Sequence, residues 1–248
     1  MTVQQLTSAA EVLLATGHDV FARASLRRPI TQGWHSGAAT LWWGVDQHDH
    51  SSHVSALGEP GAVGELLAEL LQELPPRQRV TLPRGTGARL PAWVGLDGTD
   101  WDFRWTGAAP PLQPGEERVV EVTDAAALEA LLTASSPTAS ALPGDGKVHR
   151  WFGVPDGSGG LLACAADTST SGSVGHLKSI AVHPDARGQG LGKAVTAALT
   201  RALLSGGCDV VTLGMYATNT AGRALYDALG FADDHRVTSG LLEVRSRW

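Results

Sequence analysis

Apolar residues recur along this chain with two periods, one typical of helices and one typical of strands. Spacings of three and four residues predict helices at 61–74 and 191–203. Ser, Asp or Asn, which cap helix N-termini, open further predicted helices at 8–24, 124–133 and 219–229. Alternating or continuous apolar runs predict strands at 38–45, 54–57, 80–82, 101–105, 118–122, 148–154, 160–166, 177–182 and 208–216, with one or two more after Phe231.

A segment rich in glycine and proline separates the two halves of this pattern. Residues 107–115 contain three prolines and few residues to bury, which predicts a domain boundary. We therefore expect an N-terminal α/β domain at 1–110, a linker at 111–117 and a second domain at 118–248. Most of the 8 tryptophans precede residue 110, so the first domain is expected to have its own aromatic core.

Glycines cluster at 183–193, between a predicted strand and the long predicted helix. Gly188 and Gly190 let backbone N–H groups approach a ligand, and the helix start adds partial positive charge. Together these features predict an anion site, most simply for phosphate. The spacing does not fit a dinucleotide fingerprint, which would need glycine at Lys193, or a Walker motif, which would need glycine at Arg187.

The run Arg187-Gly-Gln-Gly-Leu-Gly192, the preceding 180–185, and a second signature at 218–231 resemble the GNAT acetyltransferase superfamily. The resemblance covers residues 117–248. It implies an α+β (α/β) fold with a mixed, mostly antiparallel twisted sheet flanked by helices. The order of elements in the first half echoes the second, but Gly58-Glu-Pro-Gly61 stands where the glycine turn would be. We therefore expect a tandem arrangement with a degenerate N-terminal GNAT copy.

By this resemblance, the C-terminal half binds acetyl-CoA. The turn would hold the pyrophosphate of coenzyme A, and the strand before it would pair with the pantetheine arm, its Val182 N–H facing the thioester oxygen. Tyr226 would act as the catalytic general acid on the leaving thiolate, unless it is an ordinary half-buried aromatic. Asn219 would contact the cofactor arm, cap its helix, or do both. The implied cofactor-binding residues are Ile180, Ala181, Val182, Arg187, Gly188, Gln189, Gly190, Leu191, Gly192, Lys193 and Asn219.

The general base is not defined by the sequence. Some relatives carry a glutamate at the position of Gly214, and glycine cannot accept a proton. His176, Asp167 and His183 are candidates, although each also fits a structural or solvated role.

Two other motifs suggest ligand sites without carrying a prediction of one. Three histidines, His48, His50 and His53, have spacing that suits a metal, but their polar context favours an exposed loop, so no metal is predicted. The glycines at 83–87 are predicted to form a turn.

The resulting prediction is an N-acetyltransferase that moves an acetyl group directly from acetyl-CoA to a primary amine of a small molecule or peptide. One alternative is a protein that binds or senses acetyl-CoA without catalysis. A second is an interaction scaffold with no affinity for acyl-CoA, which the three glycines of the turn disfavour.

Composition narrows the partners and the location. The 248 residues carry a net charge of −6, which mildly favours a cationic acceptor, and the only lysines are Lys147, Lys178 and Lys193. No basic surface for nucleic acid, apolar run for a membrane, or signal peptide is predicted. Cys164 and Cys208 are expected to be buried free thiols. We therefore expect a cytoplasmic protein, a monomer or homodimer, whose partner is the amine acceptor.

Overall fold

The structure is a computed structural model that describes residues 2–26, 30–45, 52–75, 77–169 and 172–244. Its helices are α1 (Ala9–Ala15), α2 (Val20–Ser25), α3 (Pro60–Leu70), α4 (Ala125–Ser135), α5 (Leu191–Ser205) and α6 (Thr220–Ala228). Its strands are β1 (Gln4–Leu6), β2 (Ile30–Ser36), β3 (Ala39–Val45), β4 (Ser52–Gly58), β5 (Arg77–Pro83), β6 (Val94–Thr106), β7 (Val120–Val122), β8 (Arg150–Pro155), β9 (Leu161–Asp167), β10 (Val174–Val182), β11 (Val210–Tyr216) and β12 (Ala232–Val244). This is the mixed α/β fold that the sequence predicts.

The chain forms two compact units that are not continuous in sequence. Unit 1 contains Met1–Phe103, Tyr216–Thr218 and Asp234–Trp248, and unit 2 contains Arg104–Met215 and Asn219–Asp233. The C-terminal segment of the chain therefore belongs with the N-terminal half. The division into domains at 1–110 and 118–248 stays a prediction.

In unit 1 the strands lie in the order β1-β2-β3-β4-β5-β12-β6. The last strand of the chain is thus inserted beside β5, with which it pairs antiparallel from Val237↔Pro83 to Glu243↔Arg77. Helix α3 packs its apolar residues against one face of this sheet, in a core that includes Trp34, Leu66 and Val80. The pairs within β1–β4 are antiparallel, and β4 pairs parallel with β5.

In unit 2 the strands run β11-β10-β9-β8-β7, and β10 pairs parallel with β11. Helix α5 packs with α6 in one core, which includes Leu191, Leu199 and Tyr226. Helix α4 packs in a second core with Ala181 and Trp151. Side chains alternate between the faces of a strand, so the two cores cover opposite faces of the sheet.

The predicted single helix at 8–24 is wrong, because the chain bends between α1 and α2. Gly17 and His18 adopt φ angles of 61° and 58°, in the left-handed region that interrupts a right-handed helix. Asp19 then caps α2 by accepting hydrogen bonds from the backbone N–H groups of Phe21 and Ala22. The sequence pattern also missed β2, whose glycine and polar residues break the apolar alternation.

The segment that contains the predicted linker lies against α5. The Arg201 guanidinium donates to the carbonyl oxygen of Pro110 at 2.8 Å and forms an ion pair with Glu116. Burial lowers the pKa of Arg201. These contacts give the proline-rich segment a fixed course, and its role as a linker stays a prediction.

Three smaller expectations have outcomes in the structure. The two cysteines are free, Cys164 being buried and Cys208 half-buried. Residues 83–87 lead into a short 3₁₀ turn at Thr86–Arg89, so the predicted turn is confirmed. Within the described ranges, no helix has the length and apolar character needed to cross a membrane.

Candidate functional site

The candidate site lies in unit 2, where β10 and β11 stop pairing. Their parallel ladder joins Val174–Leu177 to Val210–Leu213, running from Val174↔Val210 to Leu177↔Leu213. Strand β10 continues to Val182 and β11 to Tyr216. The backbone of 179–182 on the β11 side therefore lies outside this ladder, where an extended ligand could pair with it.

A β-bulge sets which backbone groups face that side. The register of β10 on β9 shifts between Lys178 and Ala181, and Ser179 has a φ of 47°. The N–H of His183 donates to the carbonyl oxygen of Leu162 next to β9. Because successive residues of a regular strand point their N–H groups to opposite sides, the N–H of Val182 points toward β11, whereas Ile180 lies within the bulge.

Ala181 differs from its two neighbours. Its backbone N–H contacts the thiol of Cys164. Burial raises the pKa of this thiol to about 12. Its side chain is buried in the core under α4. Of the three predicted strand residues, Val182 therefore has the geometry to offer its backbone N–H to a ligand beside β11, and Ala181 supports the strand. The role of Ile180 stays a prediction.

The glycine turn ends in a helix N-terminus that no side chain caps. Gly188 and Gly190 have φ angles of 78° and 80°, and a Cβ placed on either would meet no atom within 4 Å. Gly190 is the N-cap of α5 and makes no side-chain cap hydrogen bond. The first N–H groups of α5 and its partial positive charge are thus left for an anion.

The remaining turn residues divide into exposed and packed positions. Arg187 and Gln189 are exposed, Lys193 is half-buried, and the two cations add positive charge at this helix end. Leu191 is buried in the core of α5. A Cβ on Gly192 would lie 3.0 Å from Leu225 and 3.3 Å from Val182, so a small residue here lets α5 start close to α6 and β10. The turn fits the pyrophosphate of coenzyme A, although the role of each residue stays a prediction.

Helix α6 carries the two remaining predicted residues. The side-chain oxygen of Asn219 accepts a hydrogen bond from the N–H of Gly222 at 2.8 Å, so Asn219 caps the helix as one alternative predicted. Tyr226 is 7% exposed, and its ring packs edge-on against Phe231 at 6.0 Å between centroids. Burial raises the pKa of Tyr226 to about 12, against the opposing effect of the Arg104 charge. The hydroxyl is therefore protonated at neutral pH, the form that a proton donor needs.

Each candidate base has a structural partner. The Nδ1 atom of His176 lies 2.8 Å from the hydroxyl of Thr212, and the chain buries both residues. Asp167 is paired with Arg150 at 3.2 Å. His183 is the N-cap of a 3₁₀ turn, and its Nδ1 atom accepts a hydrogen bond from the N–H of Asp185. These contacts account for the three residues without a catalytic role.

Sequence reasoning missed Arg104 and Ser179. Arg104 is fully buried on β6 and forms an ion pair with Asp227 on α6. A basic residue within the aromatic run 101–105 was the signal for it, but its partner lies 123 residues away. The hydroxyl of Ser179 bonds the backbone of Ala141, and no local pattern marks that pair.

The connection between β4 and α3 in unit 1 has no glycine turn. Only Glu59 separates Gly58 of β4 from Pro60 of α3, whereas residues 183–190 separate β10 from α5. So short a connection provides no cradle, and the Glu59 carboxylate would repel phosphate. Of the histidine cluster, His48 and His50 lie outside the described residues, and the Nε2 atom of His53 contacts the hydroxyl of Thr81 at 2.9 Å.

A cavity of about 280 Å³ also lies in unit 1. Asp19, His35, Thr40 and His235 are among the residues that line it. The Nε2 atom of His235 lies 2.9 Å from an oxygen of Asp19, whose other oxygen caps α2. This pair links the start of β12 to α2.

Residues 142–231 match the model of the acetyltransferase (GNAT) family, a range that holds both the turn and Tyr226. The chain carries a GNAT acetyltransferase domain. The strand, turn and helix of the candidate site lie within the matched range, and GNAT acetyltransferases use acetyl-CoA as acyl donor. Over its full length the fold is similar to that of a solved tandem GNAT protein.

Individual relatives agree with this assignment. A mycothiol acetyltransferase from Beutenbergia cavernae is 30% identical over 175 residues, which cover 71% of this chain and 52% of that protein. This chain therefore spans about half the length of that relative. A GNAT-family protein from Novosphingobium aromaticivorans has a TM-score of 0.56 at 21% identity, covering 86% of this chain and 91% of its own. A tandem GNAT protein from the clavulanic acid biosynthesis pathway covers all of both chains, with a TM-score of 0.51 at 16% identity. The two structural likenesses concern the fold.

Proposed function

We propose that this protein transfers an acetyl group from acetyl-CoA directly to a primary amine of a small molecule or peptide. The observation that carries the proposal is the N-terminus of α5, where no side chain caps the helix at Gly190 and where Gly192 lies close to Val182 of β10. An anionic group can bind the helix end while an extended arm lies along the strand. The match of 142–231 to the acetyltransferase family supports the acyl chemistry.

In this proposal the N–H groups of 191–193 hold the pyrophosphate, and Arg187 and Lys193 add charge. Acetyl-CoA supplies the acetyl group as a thioester. The N–H of Val182 points toward β11 and donates to the thioester oxygen. A backbone donor fixed in a strand needs no reorganisation, which suits the stabilisation of developing negative charge.

Tyr226 is in the protonated form that a general acid needs. Its hydroxyl is held protonated by burial, and it lies on α6 in the same core as Leu191 at the start of α5. In the proposal the Tyr226 hydroxyl gives its proton to the departing sulfur. General acid catalysis of this kind contributes on the order of 10²–10⁴-fold to the rate.

The acceptor is proposed as an amine, with mycothiol chemistry as the first candidate. The relative from Beutenbergia cavernae is named a mycothiol acetyltransferase, so deacetylated mycothiol heads the panel of amines to test. The net charge of −6 is compatible with a cationic acceptor. We place this reaction in the cytoplasm, on a monomer or homodimer, and light scattering on the purified protein separates the two assemblies.

A second candidate function is acetyl-CoA binding without catalysis. The structural partners of His176, Asp167 and His183 favour it, because they leave no side chain assigned as the base. This alternative predicts acetyl-CoA affinity with no turnover of any amine in the panel.

The first test is titration calorimetry with acetyl-CoA on the native protein and on Gly190→Glu. The variant places a carboxylate where the pyrophosphate would bind, so binding should weaken at least 100-fold, from about micromolar Kd. Gly157→Glu is the matched control, since Gly157 is also exposed, has a φ of 85° and has no atom within 4 Å of an added Cβ. It should bind acetyl-CoA like the native protein.

The outcomes separate the proposals. Equal binding by the native chain and Gly190→Glu would place the phosphate elsewhere, and no binding by the native chain would overturn both functions. If acetyl-CoA binds, an amine panel headed by deacetylated mycothiol distinguishes enzyme from sensor. Aminosugars, polyamines and peptide N-termini complete the panel.

A further inference from the structure

Ser179 joins the bulge of β10 to a loop residue that lies 38 positions earlier in the sequence. We call residues 136–149, between α4 and β8, the α4–β8 loop. The Ser179 hydroxyl donates to the carbonyl oxygen of Ala141 at 2.8 Å and accepts from the N–H of Ala141 at 3.1 Å. One side chain thus satisfies both backbone groups of one loop residue, which fixes the loop in position along β10.

The backbone of Ser179 also has an unusual conformation and a contact of its own. It adopts a φ of 47°, which is uncommon for a residue other than glycine, and its carbonyl oxygen lies 3.6 Å from the thiol of Cys164. Ala141 is 1% exposed and packs in the α4 core. The contact between bulge and loop therefore joins a half-buried serine to a buried loop residue.

This joint lies on the face opposite the proposed cofactor-holding elements. Leu191 and Tyr226 belong to the core of α5 and α6, against which Ile180 and Val182 also pack. Ala141 and Ala181 belong to the core of α4. If acetyl-CoA is held from the α5 face, an acceptor reaches the open edge of β10 from the α4 face, where the α4–β8 loop lies.

We propose that Ser179 is a positioning residue, which holds the α4–β8 loop as the wall of the acceptor site. The inference rests on the proposed acetyl transfer. Ser179 orients the amine only through the loop, so its loss should affect binding of the acceptor and spare binding of acetyl-CoA. Ser179 lies three residues before Val182, so the contact with the loop is close to the proposed oxyanion donor.

The test uses Ser179→Ala and Ser179→Gly in the full chain. Both variants lose the two hydrogen bonds of the hydroxyl, but only glycine relieves the strain of the left-handed φ at this position. Equal changes in the two variants would therefore attribute the effect to loss of the hydroxyl. We expect KM for the best panel amine to rise roughly five- to thirty-fold, with the Kd of acetyl-CoA within about twofold of native. Hydrogen exchange of the amides of 136–145 should become at least about tenfold faster, since opening of the loop loses both bonds.

Ser169→Ala is the matched control. Ser169 also bonds β10 through its hydroxyl, which accepts from the N–H of His176, three residues before Ser179, and donates to Asp167. It should leave KM and the exchange of 136–145 unchanged. Equal rises in KM for the Ser169 and Ser179 variants, or native-like loop exchange after loss of the Ser179 hydroxyl, would overturn the inference while leaving the transferase function standing. A native protein that turns over no amine removes the proposed function, and with it this role of Ser179.

Discussion

Arg104 on β6 and Asp227 on α6 form an ion pair whose two partners differ in burial. The side chain of Arg104 is 2% exposed and that of Asp227 is 56% exposed. The same guanidinium donates to the carbonyl oxygens of Phe231 and, at 3.4 Å, Arg223. Positive charge at the C-terminal end of a helix is favourable, so Arg104 anchors the end of the helix that carries Tyr226.

We predict that Arg104→Met destabilises the protein by roughly 2–4 kcal/mol. The variant loses several charge-assisted hydrogen bonds, including those that the guanidinium donates to two backbone carbonyl oxygens. Arg104→Lys should recover less than half of this loss, since one ammonium cannot replace a planar fork of donors. Urea unfolding measures both. Arg77→Met is the control: Arg77 pairs with Glu243 at 3.2 Å with 72% and 50% exposure, and its loss should cost no more than about 0.5 kcal/mol. Equal costs for Arg104 and Arg77 would contradict the anchoring role.

A second prediction concerns the ionisation of Tyr226. The chain has 2 tyrosines, so Tyr216→Phe leaves Tyr226 as the only phenol. Its phenolate absorbance should rise with a midpoint near pH 12, because burial raises the pKa to about 12. A midpoint near the ordinary value of about 10 would mean that the hydroxyl is solvated in the folded protein.

The same shift makes stability depend on pH. A pKa that is higher in the folded state stabilises the protein fully below the unfolded value of about 10, and this contribution disappears as the pH rises toward 12. The loss amounts to roughly 2–3 kcal/mol. Tyr226→Phe should therefore lose less stability between these pH values than Tyr216→Phe does, as measured by urea unfolding.

The sequence pattern predicted local structure better than long-range contacts. The glycine turn, the helix from Leu191 and the capping role of Asn219 depend on neighbouring residues, so their signals lie within a few positions. The partners of Arg104 and Ser179 lie far along the chain, and neither a charge in a strand nor a serine in a bulge indicates which segment it will meet.

The same limit applies to strand order. Alternation after Phe231 predicts a final strand, but only pairing decides where the strand goes, and β12 enters unit 1 beside β5. The break between α1 and α2 was missed for a different reason. Gly17 and His18 interrupt a run of good helix formers through backbone angles that apolar periodicity does not report.

A third prediction concerns His235 and Asp19 in unit 1. Burial acts to lower the pKa of His235, but the hydrogen bond to Asp19 and the charges of Asp19 and Asp234 outweigh it, so the pKa is raised. The pair therefore adds stability that is fully present below pH about 6.5 and is lost as the pH rises through the folded-state pKa.

Asp19→Asn should flatten this dependence, because asparagine keeps the cap of α2 but removes the charge. His235→Gln should flatten it to the same degree, and the double variant should add nothing, since both act on one pair. Urea midpoints at pH 6 and pH 8.5 measure the effect. A native-like slope in either single variant would show that the pair does not control it.

The last prediction concerns the insertion of β12. The strand pairs with β5 over the whole of Arg77–Pro83, so a fragment of residues 1–110 lacks the strand between β5 and β6. Without β12, the edge at this place exposes backbone donors and acceptors. The core also loses the apolar residues that β12 contributes, such as Leu242, which is 1% exposed in the full chain. We expect the fragment alone to aggregate or to unfold without a cooperative transition.

Appending residues 232–244 to this fragment through a flexible linker of about 15 residues should restore cooperative unfolding, because such a linker lets the strand reach its place beside β5. The control carries Gly240→Val in the appended strand. A Cβ at Gly240 would clash with the backbone of Asp97 and Gly98 on β6, so the valine strand should not restore folding. Circular dichroism during urea unfolding follows both. Cooperative folding of 1–110 without the strand would show that the N-terminal half is complete by itself, and rescue by the valine strand would place β12 away from β6.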